Sequence, residues 1–272
     1  MRCAMSRKCF VIASLWLTLG ASFAAPQAAA KSESELQSEA ANPQQLLKNA
    51  DRARNPDQAF RFNNSLTEYQ GATVDYVARF SIRSKTDPKG GQYRNLVTFV
   101  APLQDTGKEL LMDGSVMWFY DPSSSATVRV SPQERLQGQV SNGDVLTLNL
   151  NLDYKVTGAS LESVRDAQKQ VRQAFKLLLT ASSDTATYFR VEYWIDVNTY
   201  LPIKGRYFSD SNRLLKTIYF DKNLPVLGGT RPTELIVIDE FDMKHITRMV
   251  LSNFEAVDIP DVWFQRQYLS QH

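Results

Sequence analysis

Cysteine is almost missing from this chain of 272 residues: Cys3 and Cys9 are the only two. Beyond residue 9 there is no thiol to form a disulfide, receive a lipid or act as a nucleophile, so the chain must hold its fold by packing alone. Histidine is equally scarce, with His245 and the final residue His272. A histidine-based dyad therefore has one candidate, and a histidine metal cluster almost none. No GxGxxG, P-loop, GxSxG or CxxC pattern occurs. The apolar run 10–19 falls far short of the ~20 residues that a membrane-spanning helix needs.

What is present begins with a secretory signal. Arg2, Arg7 and Lys8 precede the apolar run, and Ser22-Phe23-Ala24 supplies the small residues a signal peptidase reads, with Ala30 as a second cleavage choice. Residues 1–24 are read as signal peptide and residues 25–41 as a flexible leader. The remainder, 42–272, is read as one domain, because no Pro/Gly/Ser linker divides it. Of 31 basic residues three leave with the signal, so 28 face 29 acidic ones. That balance argues against nucleic acid or a polybasic membrane patch as partner.

Asn42-Pro43 predicts a helix through about Arg54, with Leu46, Leu47 and Ala50 on one face. From Thr67 the period changes to two. Val74, Tyr76, Ala78, Phe80 and Ile82 point one way and Arg79, Ser81 and Arg83 the other, the pattern of a half-buried antiparallel strand. Residues 108–131 read as a meander whose aromatic run places Met117 and Phe119 on one face and Trp118 and Tyr120 on the other. Ser131-Pro132 predicts a short helix, residues 145–152 are ambiguous between strand and helix, and Pro260-Asp261 opens a last helix. The whole predicts roughly ten or eleven strands, spaced as in a barrel or curled sheet.

Three groups could carry chemistry, and each has a plainer reading. Gly228-Gly229 suits a hairpin turn better than a phosphate nest. Asp239, Glu240 and Asp242 suit a polar turn better than a calcium loop or acid/base pair, since Phe241 and Met243 interrupt them. Trp118, Trp194 and Trp263 suit packing better than stacking on a sugar or base.

The run LLMDGSVMWFYDPSSSATVRVSPQERLQGQVSNGDV (110–145), and later EYWIDVNTYLPIKGRYFSDSNRLLKTIYF (192–220), resemble the outer-membrane lipoprotein-sorting, LolA-like family of periplasmic proteins. The resemblance extends from Ala50–Arg54 to Val257–Phe264. It implies a mainly β fold with some α: a strongly curved, incomplete antiparallel β-barrel, its concave face covered by helices, around a cavity that takes lipid acyl chains. It implies a periplasmic, non-enzymatic carrier that works without cofactor or metal. Its partners would be lipoprotein or lipid acyl chains and a membrane-bound transporter or acceptor protein, with no nucleic acid and a monomeric state. For the gating arginine of the sorting chaperone, Arg79 is the candidate in this sequence.

Acyl chains bind by non-directional burial worth about 25 cal/mol per Å², which needs no catalytic residue, so a carrier is consistent with the missing motifs. The residues expected to line the cavity are Val74, Tyr76, Phe80, Ile82, Val97, Phe99, Phe175, Leu177, Leu179, Val191 and Tyr193. Each could equally belong to a closed core. Two other functions fit the same sequence: a lipid-sensing module that signals to an envelope protein or exporter, and an enzyme or membrane-embedded barrel. The polar end Ser270-Gln271-His272 argues against the barrel.

Overall fold

The structure, a computed structural model, describes residues 31–114, 116–137, 140–183 and 186–270. The signal peptide read from residues 1–24 lies outside the described residues. Residues 31–41, expected within a flexible leader, instead carry helix α1 (Glu33–Ala40). A capping box starts it: Ser32 accepts from the Glu35 amide while the Glu35 carboxylate accepts from Ser32. Its Leu36 and Ala40 rest on the main core. Helix α2 (Pro43–Arg54) has proline in its first turn and buries Leu46, Leu47 and Ala50, the face the periodicity predicts.

The strands are β1 (Phe60–Gln70), β2 (Thr73–Thr86), β3 (Tyr93–Ala101), β4 (Glu109–Asp113), β5 (Val116–Asp121) and β6 (Ala126–Val130). A small ribbon of β7 (Arg135–Gln137) and β8 (Val140–Ser141) and a short helix α3 (Leu150–Asp153) follow. Then come β9 (Tyr154–Arg165), β10 (Val171–Ala181), β11 (Arg190–Asp196), β12 (Pro202–Phe208), β13 (Leu214–Val226), β14 (Gly229–Asp239) and β15 (His245–Ala256). Thirteen of them form one antiparallel sheet in the order β6-β5-β4-β3-β2-β1-β15-β14-β13-β12-β11-β10-β9. Every neighbouring pair follows in sequence except β1 and β15. The chain builds outward from β1 to one edge at β6, crosses to the other edge at β9, and builds back.

The sheet is curled but not closed, since β6 pairs only with β5 and β9 only with β10 among the described residues. Helix α2 shows the curl. Its Gln44 donates to the carbonyl of Tyr154 in β9 (3.1 Å), while the carbonyls of Arg52 and Ala53 accept from Arg231 in β14 (3.2 and 3.0 Å). Five strand steps of a flat sheet would span about 24 Å against the ~18 Å length of this helix, a gap met by the reach of the Gln44 and Arg231 side chains together with the curl of the sheet.

The crossover, residues 131–153, is where the sequence was least legible. The short helix expected at Ser131-Pro132 is a turn closed by the Glu134 amide on the Ser131 carbonyl. After β8 a 3-10 turn covers Asn142–Val145, then extended chain leads into α3. The expected C-terminal helix is a pair of 3-10 turns, Asp261–Phe264 and Arg266–Ser270. Their Phe264 and Leu269 join Leu96, Leu111 and Ile259 in a cluster on the convex face, with Trp118 and Tyr120 packed beside it. Met117 and Phe119 face the other way, into the main core.

Candidate functional site

The concave face of the sheet holds the main apolar core. Phe80 and Ile82 from β2, Val97 and Phe99 from β3, Phe175, Leu177 and Leu179 from β10, and Val191 and Tyr193 from β11 all lie in it, each buried. Two of the expected lining residues sit differently. Tyr76 is only partly buried at the rim, where its hydroxyl donates to Asp105 (2.9 Å), and Val74, half exposed, lies beyond the core. Alternation assigns a residue to a face, but not to a depth along the strand. Arg79 is on the outward face of β2 and exposed, so it takes no part in the interior.

What fills the concavity is the crossover. Val145, Leu146 and Leu148 are buried in the same core as the strand residues. A buried backbone must find hydrogen-bond partners. The Asn142, Gly143 and Leu146 amides reach the Glu134, Pro132 and Gly143 carbonyls, and from Thr147 on the partners are mostly side chains, with no backbone pairing to the large sheet among the described residues. Asn95, fully buried on β3, accepts from the Thr147 amide (3.1 Å) and donates to the Thr147 carbonyl (2.9 Å). The Leu148 carbonyl accepts from Asn55 (2.9 Å) and Arg54 (2.5 Å). Gln92 accepts from the Asn149 amide (2.7 Å) and donates to its carbonyl (3.2 Å), and Asp51 accepts from the Asn151 amide (2.7 Å). At the start of the segment the Asp144 carboxylate pairs with Lys216 (2.6 Å) and accepts from the Tyr188 hydroxyl (2.7 Å).

None of these anchors was picked out from the sequence. Their signal is there, however: Ser84, Asn95 and Asn64 are polar residues at inward positions of their strands. Burial pushes the Asp51 carboxyl up, against the pull of Arg54. Burial likewise raises the Tyr193 phenol, whose hydroxyl has no partner among the described residues. The Asn64 amide is also unpaired. Unpaired buried polar atoms cost roughly 1–3 kcal/mol each, so the interior is not optimised for stability alone.

Packing around the segment is incomplete. Cavities of about 90 and 60 Å³ flank it, and Leu146, Asp144, Arg54, Phe220 and Leu235 line both. Ligand pockets usually measure about 300 Å³ or more, so neither void admits a lipid while the segment is seated.

The other candidate groups have structural employment. Asp239 and Asp242 accept from the Phe241 and Lys244 amides in a turn, and Glu240 accepts from Thr217. His245 lies 3.6 Å from Glu68. Leu227 and Gly228, both with positive φ (44° and 79°), make the tight hairpin between β13 and β14. Trp194 is buried on the convex side with Val164, Ala174 and Ile203, and Trp263 stacks on Tyr268.

Comparison with known proteins places this architecture. A family model described as "Uncharacterized protein" matches residues 91–271. A LolA superfamily protein from Nitrosomonas europaea superposes with a TM-score of 0.74 at 29% identity, over 83% of this chain and 98% of the other. The chain belongs to the LolA-like family. Two further structures share the LolA-like fold at lower identity. A DUF1329 family protein from Desulfovibrio piger has a TM-score of 0.71 at 21% identity, covering 85% of this chain and 98% of that one. A domain described as a candidate outer membrane lipoprotein-sorting protein from Vibrio parahaemolyticus has a TM-score of 0.69 at 15% identity, covering 85% and 100%. No curated protein matches by sequence.

Proposed function

We propose that this LolA-like protein is a periplasmic carrier that takes the acyl chains of a lipid or lipoprotein into its concavity, where they displace residues 142–150. The observation that carries this reading is how that segment is held. From Thr147 to Asn149 its backbone is bonded to the side chains of Asn95, Gln92, Asn55 and Arg54, so it can leave without breaking any strand pairing. The wall it would uncover is the apolar set around Phe80, Phe99, Phe175, Leu177, Val191 and Tyr193.

The energetics allow the exchange. Exposing Val145, Leu146 and Leu148 costs about 1.5–3 kcal/mol each, whereas burying a methylene gains about 0.8 kcal/mol. An acyl chain of about twelve carbons therefore offsets the apolar part of the loss, and the side-chain bonds, at about 1 kcal/mol each, together with the buried Asp144–Lys216 pair, call for a second chain. Cargo would arrive from, and pass to, membrane-bound partners after export through the signal at residues 1–24. Kinship with the Nitrosomonas europaea LolA superfamily protein supports the same reading.

The test locks the segment. Ser84 Oγ and Thr147 Oγ1 lie 2.9 Å apart, and Cys3 and Cys9 fall within the proposed signal. In the mature chain, Ser84→Cys with Thr147→Cys should close a disulfide across this contact. The oxidised protein is expected to exclude diphenylhexatriene, a neutral apolar fluorophore, and the reduced protein to take it up. Equal uptake in both states would refute displacement of the segment.

A further inference from the structure

At the end of the sheet where β10, β12 and β14 finish and β11 and β13 begin lies a much larger pocket, of about 790 Å³, outside the concavity. Gln133, Arg135 and Ser141 line it from the crossover, and residues between Ala181 and Phe189 and between Phe208 and Lys216 line it from the loops after β10 and β12. Thr187 and Tyr188 separate it from the smaller interior void, since both line each space. This volume is within the range of small-molecule sites.

The lining divides by chemistry. Phe189, Phe208, Leu215 and Phe241 give it an apolar side, and Phe189 and Phe241 stay more than half exposed. Arg135, Arg213 and Lys216 give it positive charge, against Asp210 on the same lining. Lys216 is committed to Asp144 (2.6 Å), but neither Arg135 nor Arg213 has a carboxylate within ion-pair distance among the described residues. Arg213 instead lies over the Phe241 ring, 4.6 Å from its centre, and Arg190 stacks 3.8 Å over Phe208 behind the wall. Thr187, 6% exposed, adds a buried hydroxyl with no partner among the described residues. Two arginines with no ion-pair partner among the described residues, one of them, Arg213, set over an aromatic ring, match a phosphate attached to a short apolar body.

We infer that this pocket is a second binding site that takes the phosphate headgroup of an anionic lipid, with Arg135 and Arg213 on the phosphate and Phe208 and Phe241 against the glycerol and first methylenes. The site does not depend on acyl chains entering the concavity.

The mature protein would be titrated with dihexanoyl phosphatidic acid below its micellar concentration, with dihexanoylglycerol and with inorganic phosphate. Phosphatidic acid is expected to bind best and to weaken as salt rises. Arg135→Glu with Arg213→Glu should lower its affinity about tenfold or more. Both side chains are exposed, so the melting temperature should not move. Phe241→Ser should cost a smaller factor, about threefold to tenfold. An unchanged affinity in the double arginine variant would overturn the site, as would neutral glycerolipid binding as tightly as phosphatidic acid. Inorganic phosphate binding as tightly would overturn the lipid assignment in favour of a free-phosphate site. Diphenylhexatriene uptake should persist in the double variant, which separates failure here from failure of the carrier reading.

Discussion

The two faces of the sheet are covered by different kinds of chain. On the convex side Ile259, Phe264 and Leu269 pack on Leu96 and Leu111, with polar ties from Lys85 to the Ile259 carbonyl and to the exposed Asp261 at the edge of the cluster. On the concave side the cover is bonded through Asn95, Gln92, Asn55, Arg54 and Asp51, flanked by voids, and near unpaired amide and hydroxyl groups of Asn64 and Tyr193. A close-packed apolar cover loses its full transfer energy when removed, so it stays. A cover held by side-chain bonds exchanges them for water at a net cost of about 1 kcal/mol each, so it can be replaced by a better apolar filler. The first face stabilises the sheet, and the second leaves it something to bind.

The largest effect should come from a charge at the centre of the concave wall. Leu177, fully buried on β10, changed to Asp should destabilise the fold by about 5 kcal/mol or more, read as loss of the cooperative thermal transition. A folded Leu177→Asp protein would mean that the wall is already wet. Next, Phe264→Ala should cost about 3–5 kcal/mol in denaturant unfolding yet leave diphenylhexatriene uptake at the wild-type level. Altered uptake in a folded Phe264→Ala protein would erase the distinction between the faces.

A smaller and opposite pairing of effects is expected for Leu146→Ala, which should lose about 2–3 kcal/mol of stability while raising uptake, because it loosens the cover and enlarges both voids. Reduced uptake would argue that Leu146 forms part of the binding wall. The smallest effect concerns Glu234, whose carboxyl is held down from the ordinary 4.5 to about 2, chiefly by its hydrogen bond to Arg248 and also by Lys222, against the effect of burial. A depressed value contributes stability that is present above about 4.5 and lost as the pH falls toward about 2. Glu234→Gln should therefore be less stable than wild type at neutral pH, with the gap closing across that acid window in melting curves. A gap that stays constant with pH would remove the ion pairs as its cause.

Much of the sheet was legible because alternation survives where one face is apolar. Phe80 and Ile82 show it, and both are inside. Strand β1 was missed over Phe60–Leu66 for the converse reason. Its inward positions are Phe60, Phe62, Asn64, Leu66 and Glu68, and the two polar members break the pattern although all five are buried. Helix α1 was hidden by a composition with little to bury, although Ser32 and Glu35 form a local capping signal. The site was legible as a set of apolar faces and illegible as a mechanism. Thr147, Leu148 and Asn149 carry no pattern of their own, and their partners lie between 52 and 94 residues away in the chain.

The sequence by itself determined which residues face which way along most strands, the amphipathic face of α2 and the absence of recognisable catalytic motifs, because these depend on period and residue type within a few positions. The tertiary structure alone decided that β6 and β9 are the free edges, that the chain between them passes through the concavity, and that Asn95, Gln92 and Asp51 hold it there. It also gathered Arg135 and Arg213 into one pocket with Phe208 and Phe241. Those outcomes depend on which distant segments pair and on the curl that the pairing imposes, which no local pattern encodes.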